Sequence, residues 1–236
     1  MEDTYNIKAI ILNCKPVAED DSKVIVYSLE AGKLELTARG TKKIKSKLAG
    51  HLEPFNLADI MVIRGRAYDY VGAAFSEKCY LKIKENLAKL AAAGQAVKIF
   101  SKLIKPGVAD AELFKLLKEY LDILNLSKGN FEILNSFFIF KLLAKLGHKP
   151  ELYICVNCGE KIKPGANSFD LAKGGLVCGK CAGHKHETRL AIADDSIKLL
   201  RLADKYDFSK LIKIKINKKI EIEIREAVNK FFDYNF

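Results

Sequence analysis

Between Tyr5 and Glu77 the apolar positions recur in short runs that fit strands, and between Leu81 and Leu146 they recur at helical spacing. Ile7, Ala9 and Ile11, with Ile10 and Leu12 between them, form an opening β-rich run. Val24 to Tyr27 predicts a second strand. After a turn at Ala31 and Gly32, Leu34, Leu36 and Ala38 alternate with Lys33, Glu35 and Thr37, the period of a strand with one wet face. Gly40 ends it. Asn56 to Arg64 and Ala67 to Phe75 predict two more strands, joined by a tight turn at Gly65 and Arg66. Five short strands in this length point to a small barrel of the OB type, or failing that an SH3-like one.

After Cys79 the period changes. Leu81 to Leu103 carries Leu87, Leu90, Ala91, Val97 and Phe100 at helical spacing, until Pro106 and Gly107 break it. Ala109 to Leu126 predicts a second helix with Leu113, Leu117, Tyr120 and Leu124 on one face. Phe131 to Leu146 is apolar almost all round, which places it at the centre of a helical bundle; Gly147 caps its end and Pro150 prevents its return. Residues 151–187 read as loop. Asp194 to Tyr206 predicts a helix. Ile212 to Ile224 alternates isoleucine with charge and predicts a strand or a hairpin around Asn217 and Lys218. Glu226 to Phe236 returns to helix. There is no internal repeat and no low-complexity linker.

No run is long and apolar enough to span a bilayer, since even Ile133 to Leu146 is interrupted by Asn135, Ser136, Lys141 and Lys145. The start of the chain lacks the basic-then-apolar pattern of a signal peptide, so a cytoplasmic protein with no membrane partner is expected. The formal charge of +11 favours encounter with polyanions, although a solvated lysine-rich surface gives the same total.

Six cysteines in a reducing compartment point to metal or redox chemistry rather than to disulfides. Four of them, Cys155, Cys158, Cys178 and Cys181, form the pattern C-x2-C-x19-C-x2-C. Two residues between cysteines let both sulfurs reach one metal from a tight turn, and two such knuckles close a tetrahedral shell around Zn2+. Gly159 and Gly179 stand beside ligands, where a knuckle needs positive φ or close backbone approach. Four ordinary buried cysteines are the plain alternative, and an iron–sulfur cluster, whose usual spacings differ, is the chemical one. With four sulfurs the zinc, one per chain, has no open position and its role is structural. His184 and His186 just downstream read as exposed loop histidines. Cys14 and Cys79 sit alone in apolar contexts and read as core residues.

An enzymatic reading finds little support. His51-Leu52-Glu53 followed by a distant Cys-x-x-Cys superficially fits the zinc deaminase signature, but Ile154 stands where that signature has proline. His51 also falls in a different domain, and the second Cys-x-x-Cys leaves no position for water. There is no phosphate-binding glycine loop, no G-x-S-x-G and no H-E-x-x-H.

Arg39, Lys42, Lys43, Lys45 and Lys47 put five positive charges and no negative one between the third and fourth predicted strands. OB-folds bind single strands by pairing such cations with phosphates and stacking bases on aromatics. Tyr27, Phe55, Tyr68 and Tyr70 are the nearby stacking candidates, and Arg64 and Arg66 extend the track. A flexible solvated loop, and core packing for each aromatic, are the competing readings. Lys210, Lys213, Lys215, Lys218 and Lys219 form a second basic cluster that reads equally as a DNA contact or a solvated strand face.

Three stretches resemble the RecO family of bacterial recombination mediators: RGTKKIKSKLAGHLEPF from Arg39 to Phe55, the strand from Tyr68 to Phe75, and KLLAKLGHKPEL from Lys141 to Leu152 running into Cys155. The resemblance covers almost the whole chain. It implies an α+β multidomain protein, with an N-terminal five-stranded OB-fold β-barrel at 1–79 and a C-terminal α-helical domain at 80–236. A four-cysteine zinc finger is embedded in the latter at about 151–187. It implies binding of single- and double-stranded DNA, annealing of complementary strands, and loading of the RecA recombinase onto DNA coated by single-strand-binding protein. It implies RecR and the acidic C-terminal tail of single-strand-binding protein as partners, and no catalysis. Some relatives lack the four cysteines; here all are present, so zinc carries over onto them, and the family's DNA-binding cations onto Arg39, Lys42, Lys43, Lys45 and Lys47. One departure is expected: the family is helical where the Ile212–Ile224 alternation predicts strand. The alternatives are an RNA-binding zinc-ribbon protein of translation or transcription, and a zinc metalloenzyme.

Overall fold

The computed structural model describes residues 3–17, 19–183 and 187–236. It divides into two compact units, Met1–Leu126 and Ser127–Phe236. The strand-to-helix change at Cys79 therefore falls inside the first unit, which holds the barrel and the first three helices.

The barrel strands are β1 (Thr4–Pro16), β2 (Ser22–Ser28), β3 (Gly32–Ala38), β4 (Leu57–Ile63) and β5 (Tyr70–Lys78). They close in the order β1-β2-β3-β5-β4, the five-stranded OB arrangement. β1 is long because it pairs with β4 along its first half and β2 along its second, with a register shift between Ile11 and Asn13 that lets it curl. Ile7, Ile11, Val24, Val26, Leu36 and Ile60 fill the interior. Closure rests on one parallel pairing, Thr37 of β3 beside Tyr70 of β5, with Thr37 N donating to Asp69 O at 2.9 Å. The β4–β5 connection runs from 64 to 69 and is no tight turn. Asp69 draws it inward, since its carboxylate accepts from Tyr5 Oη (2.9 Å) and Gly65 N (3.4 Å).

The helical segment expected from Leu81 to Leu103 is two helices, α1 (Leu81–Lys84) and α2 (Leu87–Leu103). Asn86 interrupts it: its backbone is extended and its side chain accepts from Lys89 N, so it starts α2 afresh. α3 (Ala111–Leu126) follows as expected. Tyr27, fully buried on β2, meets Phe100 of α2 edge-on at 4.9 Å and Phe114 of α3 at 6.4 Å. Lys33 Nζ donates to the carbonyls of Ser101 and Ile104, placing a cation at the C-terminus of α2. Asp122 of α3 accepts from Lys78 Nζ (2.7 Å), Lys118 Nζ (2.9 Å) and Tyr80 Oη (3.0 Å), which ties the end of β5 to the helices.

The second unit is built around α4 (Phe131–Lys145), buried on nearly every side as its composition predicts. It packs against α5 (Asp194–Lys205) and α7 (Lys218–Asn235); a short α6 (Phe208–Leu211) lies between these two in sequence. The strand expected at Ile212–Ile224 does not form. Backbone turns carry residues 212–214, with Ile212 N donating to Phe208 O and Ile214 N to Leu211 O. Asn217 then caps α7 by accepting from Ile220 N. From there Ile224, Ala227, Val228, Phe231 and Phe232 are buried at helical spacing, while Ile222 is exposed. Glu223 accepts from Ala193 N and Ser196 Oγ at the start of α5, so a residue that alternation makes wet instead caps a neighbouring helix. Lys218 and Lys219 of the second basic cluster thus belong to the first turn of α7, not to a strand face.

Residues expected as loop at 151–187 contain two short strands, β6 (Ser168–Asp170) and β7 (Gly175–Val177), which join β8 (Arg189–Ala191) in the order β7-β6-β8. Strands of three residues are too short to show a period of two. Among the described residues no helix is long and apolar enough to cross a membrane.

Burial raises the Asp122 carboxyl pKa, but its three hydrogen-bond donors outweigh that and hold it below the ordinary aspartate value. A lowered native pKa stabilises the fold fully above the unfolded value and is lost as pH falls through the native one. Asp122→Asn is therefore expected to cost about 1–2 kcal/mol at neutral pH, measured by urea unfolding. The difference from the parent should shrink as the pH falls below the ordinary aspartate value and through the lowered native one. An equal cost at neutral and acid pH would show that packing, not charge, is at stake.

Candidate metal centre and nucleic-acid interface

The sulfurs of Cys155, Cys158, Cys178 and Cys181 all lie within 4.8 Å of one another. Four ligands about 2.3 Å from a tetrahedral zinc are about 3.8 Å apart, and Cys158 and Cys178 stand 3.8 Å apart. Each knuckle is shaped by its own backbone. Gly159 N donates to Cys155 O, and Gly159 takes a positive φ of 75°. In the second knuckle Cys181 N and Ala182 N both donate to Cys178 O. A Cβ on Gly179 would come within 3.3 Å of Ala166 O, so one glycine serves the turn and the other a close approach.

The environments of Cys155 and Cys181 differ sharply. Burial raises the Cys155 pKa, but the backbone N–H groups of Cys178, Cys158 and Asn157 bring it down to about 6. Cys181 is pushed up to about 12 by the sulfurs of Cys158 and Cys178 beside it. A bound divalent ion would let all four sulfurs be thiolates. His184 and His186 lie outside the described residues.

A buried ion pair that the sequence did not reveal braces this centre. Asp170, at the end of β6, accepts from Arg189 Nε of β8 at 3.1 Å, and both side chains are almost wholly enclosed. Asp170 also accepts from the backbone N–H of Ala172 and Lys173, which turns the chain from β6 into β7. The Arg189 guanidinium reaches on to Cys181 O at 3.2 Å. The small sheet and the second knuckle are thereby joined through one side chain. The signal for it, an aspartate and an arginine nineteen positions apart, has no local pattern.

In the first unit, Lys42, Lys43, Lys45 and Lys47 lie exposed on the loop joining β3 and β4. Arg39 starts that loop and lies over the Tyr70 ring at 4.2 Å. The closure at Thr37 and Tyr70 brings the β4–β5 loop, with exposed Arg66, to the same end of the barrel. Arg64 there is engaged with the Asp3 carboxylate (3.1 Å) and the Tyr5 ring (5.2 Å). The β1–β2 turn also joins in: Asp20 O accepts from Lys42 N, the Asp20 carboxylate lies 3.5 Å from Lys43 Nζ, and Asp21 accepts from Gly40 N.

The chain matches the family described as Recombination protein O N terminal over residues 1–74 and that described as Recombination protein O C terminal over residues 84–236. Proteins named DNA repair protein RecO are similar along most of their length. The one from Desulforamulus reducens is 28% identical over 98% of this chain and 89% of its own. That from Rubrobacter xylanophilus is 31% identical over 75% of this chain and 71% of its own.

The chain belongs to the RecO family.

In this RecO-family member the four expected stacking aromatics separate. Tyr27 and Phe55 are buried and belong to the core. Tyr70 is covered by Arg39, and Tyr68, 64% exposed, remains open. Phe75, on β5, is also exposed and lies 5.7 Å from the His51 ring. His51 itself sits in a single turn of 3-10 helix, Ala49–Leu52, and its Nδ1 lies 2.9 Å from Ser76 Oγ. Cys14 and Cys79 are half-buried; the first packs against the barrel core and the second donates to Ser76 Oγ.

Cys178→Ser is expected to abolish tight metal binding, read by elemental analysis of the purified protein; a full complement of metal would show that other groups hold it. Arg189→Met keeps all four sulfurs but leaves the Asp170 carboxylate enclosed without its partner. It is expected to destabilise the second unit by about 3–5 kcal/mol in urea unfolding, and a change under about 0.5 kcal/mol would deny the pair that bracing role.

Proposed function

We propose that this chain is a recombination mediator without bond chemistry, which binds single- and double-stranded DNA and anneals complementary strands. In the same reading it helps load RecA onto DNA coated by single-strand-binding protein. The observation that carries the proposal is the cluster of exposed lysines at 42, 43, 45 and 47 at one end of an OB barrel, in a chain of the RecO family. Residues 1–79 serve as the DNA-binding domain, and Arg39, Arg64 and Arg66 flank the lysines. Arg39 and Arg64 rest on tyrosine rings, Arg64 also against the Asp3 carboxylate, so their guanidinium groups are held in place, whereas the lysine side chains are exposed on the loop.

The mechanism is electrostatic. Lysine ammonium groups neutralise phosphates and release counterions, which supplies affinity independent of sequence. Two strands neutralised on one surface repel each other less, and their bases can pair. RecR and the acidic tail of single-strand-binding protein are the protein partners in this reading, and the cytoplasm, at the nucleoid, is the site of action.

The four cysteines hold one structural zinc ion. Zinc on four thiolates supplies folding energy to a segment poor in apolar residues and has no open position for a substrate. X-ray absorption of the metal-loaded protein is expected to show a shell of sulfur alone. A nitrogen or oxygen ligand would favour a metalloenzyme instead.

Lys42→Glu, Lys43→Glu, Lys45→Glu and Lys47→Glu together are expected to leave the fold intact by circular dichroism. They should lower affinity for oligonucleotides by about 100-fold or more and flatten the salt dependence by about 3 in log–log slope. Unchanged annealing by the folded variant would defeat the assignment, and stronger binding to RNA than to DNA would redirect it to RNA.

A further inference from the structure

Ile44 stands fully exposed in the middle of the basic loop, between Lys43 and Lys45. A single apolar side chain on a surface is ordinary. Two features set this one apart. The first is its charge setting, with lysines at 42, 43, 45 and 47 and no acid within the loop from 39 to 47.

The second is the bracing of the loop. Gly40 N donates to Asp21 Oδ1 at 2.9 Å, Thr41 Oγ1 to Ser22 Oγ at 2.7 Å, and Lys42 N to Asp20 O at 3.1 Å. Two consecutive backbone turns follow, Lys43 N to Gly40 O and Ser46 N to Lys43 O. Ile44 lies inside the second, so the turn presents its side chain outward from a held backbone. Isoleucine is also β-branched and stiff at χ1, so little rotamer freedom is lost when it is enclosed.

We propose that Ile44 is a wedge that enters between adjacent bases of a DNA strand whose phosphates are held by the lysines on either side. The inference rests on the reading of this loop as a DNA-binding surface and adds a second contact to it. Aliphatic side chains inserted at base steps are an established way for proteins to engage and unstack nucleic acid. Isoleucine has no hydrogen-bonding group, so such a contact reads no letters and keeps binding independent of sequence. In an unpaired strand the bases are already free to separate. In a duplex the same insertion must first break stacking, so the wedge favours single strands and the frayed ends where annealing begins. A lipid surface would also accept an aliphatic tip beside lysines, but one isoleucine is far less apolar area than a stable anchor requires.

The chain contains no tryptophan, so Ile44→Trp creates a single tryptophan at the tip, excited selectively at wavelengths where the tyrosines do not absorb. With oligothymidylate at low salt, its emission is expected to be quenched by base stacking and shielded from acrylamide. Ile44→Ser in the full chain is expected to weaken binding to oligothymidylate by about 5- to 10-fold, less so to duplex, with the salt slope unchanged because no charge is altered. If the parent binds but Ile44→Ser binds equally well and the tryptophan emission does not change, the wedge is overturned while the lysine surface stands. If the parent binds no polynucleotide at low salt, the DNA-binding reading falls and the wedge with it. Quenching by anionic vesicles but not by oligothymidylate overturns the wedge in favour of a lipid contact.

Discussion

The proposed DNA surface hangs on one short junction, the parallel pairing of Thr37 with Tyr70 that closes the barrel. Every other seam of the barrel is a long antiparallel ladder, whereas this one is a single pair with Thr37 N bonded to Asp69 O. The junction is also where two loops leave the sheet. Just beyond Thr37 the chain passes through Arg39 into the basic loop, and just before Tyr70 it arrives from the loop that carries Arg66 and Tyr68. Closing the barrel and gathering the cations are therefore one event. Asp69 serves both, since its carbonyl closes the seam while its carboxylate holds Tyr5 and Gly65.

The same economy governs the second unit. Its four-cysteine cluster cannot be understood from the sulfurs alone, because thiols this close resist carrying negative charge together. The backbone N–H groups aimed at Cys155 favour the first thiolate, and a divalent ion would account for the rest. Asp170 and Arg189 then keep the second knuckle in register with the sheet. A buried ion pair contributes little net stability against an apolar replacement, but it fixes one arrangement where a small sheet could otherwise slip.

How much of this was legible depended on the range over which the information is encoded. The five barrel strands were readable from their short apolar runs, and the gathering of the four cysteines from spacing alone, because a Cys-x2-Cys turn is a local object. Ile212 to Ile224 misled because its alternation is real in sequence but is overruled by Asn217, whose side chain starts a helix in which Ile224 and Val228 fall on one buried face. The stretch before Asn217 is too short and too strongly charged to bury a strand face. Asn86 did the same on a smaller scale by splitting α1 from α2. What no local pattern could show were the long-range pairings: Asp170 with Arg189, Asp122 with Lys78, and the exposure of Phe75 as against the burial of Tyr27. An aromatic residue in a strand looks alike on either face until its neighbours are known.

As proposed, the basic loop would combine two kinds of contact with different physics. Charge acts at a distance, weakens with salt and does not distinguish an isolated strand from a paired one except through phosphate density. An apolar tip acts only on contact, is indifferent to salt and feels whether the bases are stacked. A surface with lysines alone would hold single strands and duplex by the same means, and through the duplex's higher phosphate density would grip the annealed product at least as firmly as the reactants. Adding one side chain that gains only from unstacked bases tilts the balance towards the reactants and lets the finished duplex go. That asymmetry is what an annealing surface needs if it is to turn over, and Ile44, held outward between Lys43 and Lys45, is placed to provide it.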